Sequence, residues 1–518
     1  MRRDLGDFQT PPNLAARVLD LLGPIGSRWT RVLEPTCGKG HFLAALLDRP
    51  DPPRELIGIE RQAVHLAEAH RACDRPDAPR VVLTEADLFT VDLARDLPWT
   101  DEGPLLVVGN PPWVTAAELG VLESQNQAPR LRGDRRRGLD ALTGSSNFDL
   151  AEAVWIKLLT ELAPQNPTIA LLCKRSVARK ILAQGALPHG VQIKEASIHR
   201  IDARRWFGVQ VDACLLRIDV GVPDGPVRVA IHGGLDAEAS VRHFERDGDQ
   251  LIADAEAWGR SKFAAGGSPL TWRQGIKHDA AKVMELVGSG EGWINGLGEP
   301  VDIEPDHMLP LWKSTDLFHG VDGRPRRALV LSQSRLGEET EAHKQSSPRL
   351  WAYLDDHAWA FDRRKSSIYR GRPRFSLFGV GPYCFDPFKV AISGLHKSPR
   401  FRAIGPVDGR PAVFDDTCYL LPCRSAVQAA LLASLLNGPI ARDLLDALVF
   451  WDAKRPITKA VLRQIDPIAL LRATDPLLLG IAMDGELRRL GVDPDIGHPD
   501  SWGDLLLDGT PMPASPLI

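Results

Sequence analysis

Over the first 220 residues, short apolar runs alternate with stretches of helical period, and this rhythm constrains the fold more than any other feature. "RVLEPTCG" (31–38) runs from a strand into a turn, and "GHFLAALLD" (40–48) continues as a helix. "ELIGIE" (55–60), "RVVLTEADLF" (80–89), "PLLVVG" (104–109) and "TIALLCKR" (168–175) read as further strands. "RQAVHLAEAHRAC" (61–73) and "FDLAEAVWIKLLTELA" (148–163) read as helices, and "VDACLLRIDV" (211–220) as a strand near an edge. Strands alternating with helices of this length predict an α/β fold whose mostly parallel sheet is covered on both faces. A ligand of such a sheet lies beyond the C-terminal ends of its strands. Each unusual motif in this half of the chain sits at such an end.

At 518 residues the chain is too long for one hydrophobic core. Beyond 221 the texture changes. "GVPDGP" (221–226) is turn-rich, and "RALVLSQ", "KVAISGL" and "VFDDTCYLLP" are strand-like pieces among loops. The reading is a first domain over 1–220, a second, mixed α/β domain over 221–475, and a small helical tail with a flexible end over 476–518. No apolar run approaches the roughly 18 residues of a membrane span. Seven scattered cysteines make no disulfide framework and suit a reducing cytoplasm. Without CxxC or HExxH, no metal is expected.

Three strand ends carry acids. Glu34 ends the first strand beside the glycine turn of "EPTCGKG", where Gly38 and Gly40 let a ligand approach the backbone. Glu60 ends the second, where a carboxylate accepts from ribose hydroxyls. Asp87 ends the third and suits an exocyclic amino group, with Leu88 and Phe89 beside it to cover an adenine ring. Acids also cap helices after strands. Three in order on neighbouring strands fit a nucleoside that carries positive charge, and S-adenosylmethionine is such a ligand. A phosphate-rich cofactor would need donors there instead.

The fourth strand leaves the sheet through "NPPW" (110–113). An adenine amino group is a poor nucleophile because its lone pair is delocalised into the ring. Two acceptors fixed before the reaction favour a tetrahedral nitrogen, and the Asn110 side-chain oxygen with the Pro111 backbone oxygen supply them. Pro111 and Pro112 lock the carbonyls in place, and Trp113 offers a flat face for a base. Asn-Pro is also a plain turn starter, and a Trp is often a core ring.

The chain resembles the gamma-class N6-adenine DNA methyltransferases of restriction–modification systems, in which the cofactor motifs come first and a target-recognition domain follows. "GDFQTPPNLA" (6–15) resembles their N-terminal motif, which implies that Phe8, Thr10 and Pro11 touch the methionine end of S-adenosylmethionine. "EPTCGKG" resembles their glycine loop, implying Pro35 and Cys37 in the cofactor site. "NPPW" resembles their catalytic motif, with Trp113 where Tyr or Phe is more usual. "SSNFDLAEAVWIKLL" (145–159) resembles the pocket-lining helix and points to Phe148; "RRWFGVQVDACLL" (204–216) resembles a late motif whose aromatic, here Phe207, packs on the flipped base. The implied fold is a Rossmann-like methyltransferase sheet followed by a target-recognition domain. "TWRQGIKHDAAKVMEL", "RRKSSIYRGRPRFSLFGVGPY", "FKVAISGL" and "DAKRPIT" resemble, less specifically, segments of such domains.

The partner implied is double-stranded DNA. Its adenine must be flipped out at a cost of a few kcal/mol, which stacking on Trp113 and Phe207 would offset. Net charge is −4, yet basic residues cluster. Arg130, Arg132, Arg135, Arg136 and Arg137 lie in "RLRGDRRR"; Arg363, Arg364, Lys365, Arg370, Arg372 and Arg374, with Tyr369, lie in "RRKSSIYRGRPR". These are the candidate DNA contacts, with Lys389, Lys454 and Arg455 weaker ones. Monomeric action is expected, with any restriction endonuclease or defence protein a separate chain. Glutamine or ribosomal RNA guanine methyltransferases share the Asn-Pro-Pro-aromatic motif but usually lack a large second domain. A non-catalytic DNA-binding subunit, which has no need of intact Asn110, Pro111, Glu34 and Asp87, is the reading from another class.

Overall fold

The computed structural model describes residues 8–114, 149–183, 190–225, 227–248, 250–290, 292–320 and 324–507. The chain divides into two compact units, up to Ala255 and from Glu256 onward.

In the first unit, β1 (Arg31–Glu34), β2 (Glu55–Glu60), β4 (Leu105–Gly109) and β5 (Thr168–Lys174) are almost wholly buried, as continuous apolar runs in a sheet covered on both faces must be. With β3 (Arg80–Glu85) they form the parallel run β3-β2-β1-β4-β5. Sequential addition thus reverses direction between β1 and β4, the switch point at which the crossovers part and leave a crevice. Helices α1 (Pro12–Leu22), α2 (His41–Leu47), α3 (Ala63–Cys73), α4 (Leu150–Leu162) and α5 (Arg175–Ala183) flank the sheet. The turn into α2 needs its glycines: Gly38 and Gly40 have φ of 52° and 77°, and a Cβ on Gly38 would lie 2.5 Å from the Gln9 amide. Asp149 starts α4 by accepting from Ala151 N at 3.1 Å, and Lys174 at the end of β5 pairs with the same carboxylate at 2.8 Å.

Beyond β5 the sheet turns antiparallel through β7 (Asp212–Val220) and β6 (Ile193–Asp202), which are joined by the one-turn helix α6 (Ala203–Phe207). The sheet does not stop at 220. β8 (Arg228–His232) pairs in parallel with β6, and β9 (Ser240–Asp247) and β10 (Gln250–Ile252) continue it to ten strands. The turn-rich 221–225 is therefore a reversal within one sheet, not the expected domain boundary: turn residues mark a change of direction, and here the chain passes from β7 to the far side of β6.

The second unit holds two sheets. β11 (Arg273–Gln274), β17 (Phe388–Ser393), β18 (Arg402–Ile404) and β20 (Cys418–Cys423) form one, in the order β11-β20-β17-β18. β12 (Glu285–Ser289), β13 (Gly292–Ile294), β14 (Pro300–Val301), β15 (Met308–Trp312), β16 (Arg327–Val330) and β19 (Val413–Phe414) form the other, ordered β14-β13-β12-β16-β15-β19. Helix Ala426–Asn437, capped by Ser425, is buried on nearly every face. Helix Pro476–Arg489 packs on it through Leu479, Met483 and Leu487. Trp502 and Leu506 are buried too, so the residues expected as a separate tail are part of this unit up to Leu507. Among the described residues no helix is long and apolar enough to cross a membrane.

Candidate active site

The C-terminal ends of β4, β1, β2 and β3 stand side by side in the sheet, and a cleft opens beyond them. It holds about 1070 Å³ of space free of atoms, its open mouth included. Of the residues singled out in the sequence, Phe8, Thr10, Glu34, Pro35, Cys37, Gly38, Glu60, Asp87, Leu88, Asn110 and Pro112 line it. The chain N-terminal to α1 roofs the cleft, held by polar contacts. Lys39 N donates to Gln9 Oε1 at 3.1 Å, His41 Nδ1 to the Thr10 carbonyl at 2.6 Å, and Asn110 Nδ2 to the Phe8 carbonyl at 2.8 Å.

The last of these contacts decides what Asn110 offers. A carbonyl only accepts, so the amide must turn its nitrogen to Phe8, and Oδ1 is left buried without a hydrogen-bond partner. An orphaned buried acceptor is costly and calls for a donor. Glu34 presents a second orphan: it is 3% exposed, and its Oε2 is buried without a partner. Burial, with Glu60 adding to it, holds the Glu34 carboxyl well above the usual carboxylate range. Glu60 is already engaged, accepting from Gly38 N at 2.9 Å and Gln62 N at 2.8 Å, and so fixes the glycine turn as well as facing the cleft. Asp87 accepts from Phe89 N at 3.0 Å and lies 3.9 Å from Arg61. Burial and the acids Glu34 and Glu60 push the Cys37 thiol up, so it is a small apolar wall.

S-adenosylmethionine suits this donor and acceptor set. The unpartnered Glu34 oxygen wants a cationic or N–H neighbour, Glu60 and Asp87 are acceptors for hydroxyl and amino groups, and Leu88 and Phe89 supply apolar cover. A polyphosphate has no such fit.

Other expected residues stand apart from the lining. Pro11 caps α1, its carbonyl accepting from Leu14 N and Ala15 N, and Gly40 caps α2 with a Cβ-free approach to Ala69. Trp113 is 4% exposed, with Nε1 donating to the Leu172 carbonyl at 3.3 Å. Its ring meets Phe207 edge-on at 5.0 Å and 70°, with Phe8 6.0 Å away. A base held between parallel rings needs roughly 7 Å between their planes, so Trp113 and Phe207 do not form an open sandwich here; Phe8 completes a closed aromatic trio. Phe148, Arg130, Arg132, Arg135, Arg136 and Arg137 lie outside the described residues. Gln9, His41, Arg61 and Gln62 line the cleft but were not foreseen. Arg61 and Gln62 had a signal, directly following a strand-end acid; Gln9 and His41 act through contacts 30 and 31 residues apart in sequence and had none.

In the second unit, Arg363, Lys365, Arg370 and Arg372 are exposed. Arg374 is exposed but paired with Asp362 at 2.7 Å. Arg364 is structural: its guanidinium lies 3.7 Å over the Tyr369 ring and donates to the carbonyls of Ser376 and Arg374, each at 2.7 Å. Lys389 was expected on the surface and is fully buried. Its Nζ donates to the carbonyls of Cys384 (2.9 Å), Asp386 (2.5 Å) and Ala412 (2.9 Å), so it fastens loops and has no access to DNA.

No family model matches the sequence. The type II methyltransferase M.NspV of Nostoc sp. (strain ATCC 29411 / PCC 7524) is 36% identical over 464 residues, which is 89% of this chain and 96% of that protein. Among solved structures, the type IIL restriction–modification enzyme MmeI, in complex with DNA, aligns with a TM-score of 0.53 at 12% identity, over 95% of this chain and 71% of that one. At that identity the likeness concerns the fold alone. Identity to M.NspV over nearly the full length of both chains, together with NPPW at the fourth strand end beside a nucleoside cleft, shows that the chain belongs to the type II methyltransferases, as a restriction–modification enzyme of the S-adenosylmethionine-dependent, adenine-N6 DNA class.

Proposed function

We propose that Asn110 and Pro111 are the groups with which this DNA adenine methyltransferase prepares a flipped adenine within a specific target sequence. The observation that carries this reading is the Asn110 amide, turned by the Phe8 carbonyl so that its buried Oδ1 lacks a donor. The adenine amino group is that donor: one N–H goes to Asn110 Oδ1 and the other to the Pro111 carbonyl. Two acceptors in fixed positions localise the lone pair on nitrogen without having to reorganise. Glu34, Glu60 and Asp87 hold S-adenosylmethionine, which when bound supplies the activated methyl group. The amino proton leaves to solvent once nitrogen is positively charged, so no strong base is needed beside it. Entry of the base separates Phe207 from Trp113 and replaces their edge contact by stacking.

Exposed Arg363, Lys365, Arg370 and Arg372 hold DNA phosphates in this reading. The protein acts as a monomer in the cytoplasm, to which its seven free thiols are suited, and any cognate endonuclease is a separate chain.

The test incubates the protein with labelled S-adenosylmethionine and unmethylated genomic DNA, then maps the modified base. N6-methyladenine in one sequence context is expected. Asn110→Ala should lower transfer by about 10²–10³-fold or more while cofactor affinity stays within about tenfold, the scale of one lost hydrogen bond. Transfer by Asn110→Ala near the wild-type rate overturns the mechanism. Label found only in protein or RNA overturns the substrate.

A further inference from the structure

Four stretches of the second unit that are far apart in sequence come together in space: "QGIKHD" (274–279), "RRKSSIY" (363–369), "FDD" (414–416) and "AKRP" (453–456). Backbone bonds fix the first of them. Ile276 N donates to the Phe414 carbonyl at 2.7 Å, and Lys277 exchanges bonds with Phe378 at 2.8 and 2.9 Å. Gly275 makes this approach feasible, since a Cβ there would lie 2.0 Å from the Asp415 carbonyl oxygen. His278, buried, accepts from Ala280 N at 3.2 Å and faces Glu285 at 3.5 Å. Arg364 Nη1 reaches the His278 carbonyl at 3.4 Å.

On this rigid frame two opposite charges are presented together. Lys277 Nζ and Asp279 Oδ1 are 3.4 Å apart, with side chains 33% and 32% exposed. Asp279 has a φ of 51°, a conformation few non-glycine residues adopt, and the surrounding bonds hold it there. Exposed Arg363, Lys365, Arg370 and Arg372 belong to the neighbouring stretch. Those cations suit phosphates, but a carboxylate kept among them is repelled by phosphate. Lys277 meets one of its oxygens, but a carboxylate accepts further bonds, and the donors a duplex offers it are base-edge amino groups.

The spacing is that of a base-pair edge. In the major groove, guanine O6 and cytosine N4 are joined by a hydrogen bond of about 2.9 Å, which an ammonium and a carboxylate 3.4 Å apart can face together. We infer that Lys277 and Asp279 read one G·C pair of the target: the ammonium donates to guanine O6 and N7, and the carboxylate accepts from cytosine N4–H. An A·T pair offers thymine O4 and adenine N6 at similar spacing. Beside O4, however, it places a methyl group where guanine has no obstacle and a second acceptor for Lys277. The inference rests on the reading of the chain as a DNA methyltransferase.

Duplexes carrying the mapped target, and every single-pair change of it, test the assignment with wild type, Lys277→Met and Asp279→Gly. Glycine adopts the positive φ at 279 without strain, so the second variant removes the carboxylate and spares the turn. Both variants should lose discrimination at the same position, a G·C pair, by roughly 5- to 150-fold, with an unchanged slope of affinity against salt. Relaxation at two different positions, or at an A·T pair, overturns the inference. So does equal weakening on all sequences with a shallower salt slope, which marks a phosphate contact. For a variant that melts early, the full wild-type chain supplies the answer: 7-deazaguanine, which lacks N7, is placed at each guanine of the target in turn. One position should lose affinity about fivefold or more; no sensitive position overturns the inference. Wild type that methylates no DNA at all sinks the underlying reading instead.

Discussion

Glu34 lines the cleft with one carboxyl oxygen unpartnered, and in the role proposed for it this single residue links cofactor binding to stability. Burial holds its carboxyl well above its ordinary value of 4.5. The folded chain without cofactor therefore binds a proton that the unfolded chain has released. Wild type loses stability as pH rises from the unfolded value through the raised one, whereas a glutamine does not. Glu34→Gln should thus melt above wild type at about pH 8, and the gap should close as pH falls toward 4. The same variant removes the charge that meets a cation, so S-adenosylmethionine should bind on the order of ten- to hundredfold more weakly. Calorimetric melts across pH and a titration with cofactor check the two halves; a variant that melts like wild type at every pH would show that the carboxylate carries no buried cost. The acids were legible in the sequence because each is local, the last residue of an apolar run or just beyond it. The role proposed for Asn110 came from chemistry legible in the sequence, but the orientation of its amide did not. That is set by Phe8, 102 residues away in sequence.

At the level of elements, a strand can hide what its residues are for. Lys389, second in β17, was a candidate contact because "FKVAISGL" resembles a segment of target-recognition domains. β17 instead lies between β18 and β20, and three carbonyls converge on the ammonium. Lys389→Met should cost about 2–4 kcal/mol by leaving those carbonyls unpaired, with DNA affinity and its salt dependence unmoved. Burial lowers the Lys389 pKa to about 8. Since the unfolded chain then holds more protons between about 8 and 10.5, wild-type stability should rise relative to the variant across that window and stay level below it. Urea melts at pH 7 and 10 check the sign. β6 escaped notice for a related reason: its buried residues are interrupted by Lys194, Glu195, Arg200 and Asp202, and only the pairing with β7 and β8 makes it a central strand. Helix α1 was hidden behind the motif that precedes it, although Leu14, Ala15, Val18, Leu19 and Leu22 carry a clear buried stripe. In the parallel half of the sheet β1, β2, β4 and β5 were readable because they are buried on both faces and need no partner to declare themselves.

For the whole molecule the question is where one folding unit ends. Composition suggested 220, where proline and glycine gather, but hydrogen bonding gives another answer. β6 is covered on one side by β7 and on the other by β8, whose register runs from Ala196↔Val229 to His199↔His232. Ending the chain at 220 would remove β8, β9 and β10 together and uncover the N–H and C=O groups of β6 along that register. It would also expose Ile198 and His199, now 2% and 6% exposed, beside Val229 and Ile231. An unpaired strand edge of that kind recruits other chains. A fragment of residues 1–255 keeps the sheet whole and retains every described residue that lines the cleft. It should remain soluble and bind S-adenosylmethionine within about tenfold of the full chain, with sequence-specific DNA binding lost because Lys277, Asp279 and the 363–374 cations are gone. Residues 1–220 should aggregate or bind cofactor far more weakly. Gel filtration and calorimetric titration of the two fragments distinguish the boundaries, and equal behaviour of both would mean that β8–β10 decorate the sheet without supporting it. A well-folded 1–255 that still selects its target sequence would move recognition into the first unit, and the assignment of Lys277 and Asp279 would fall with it.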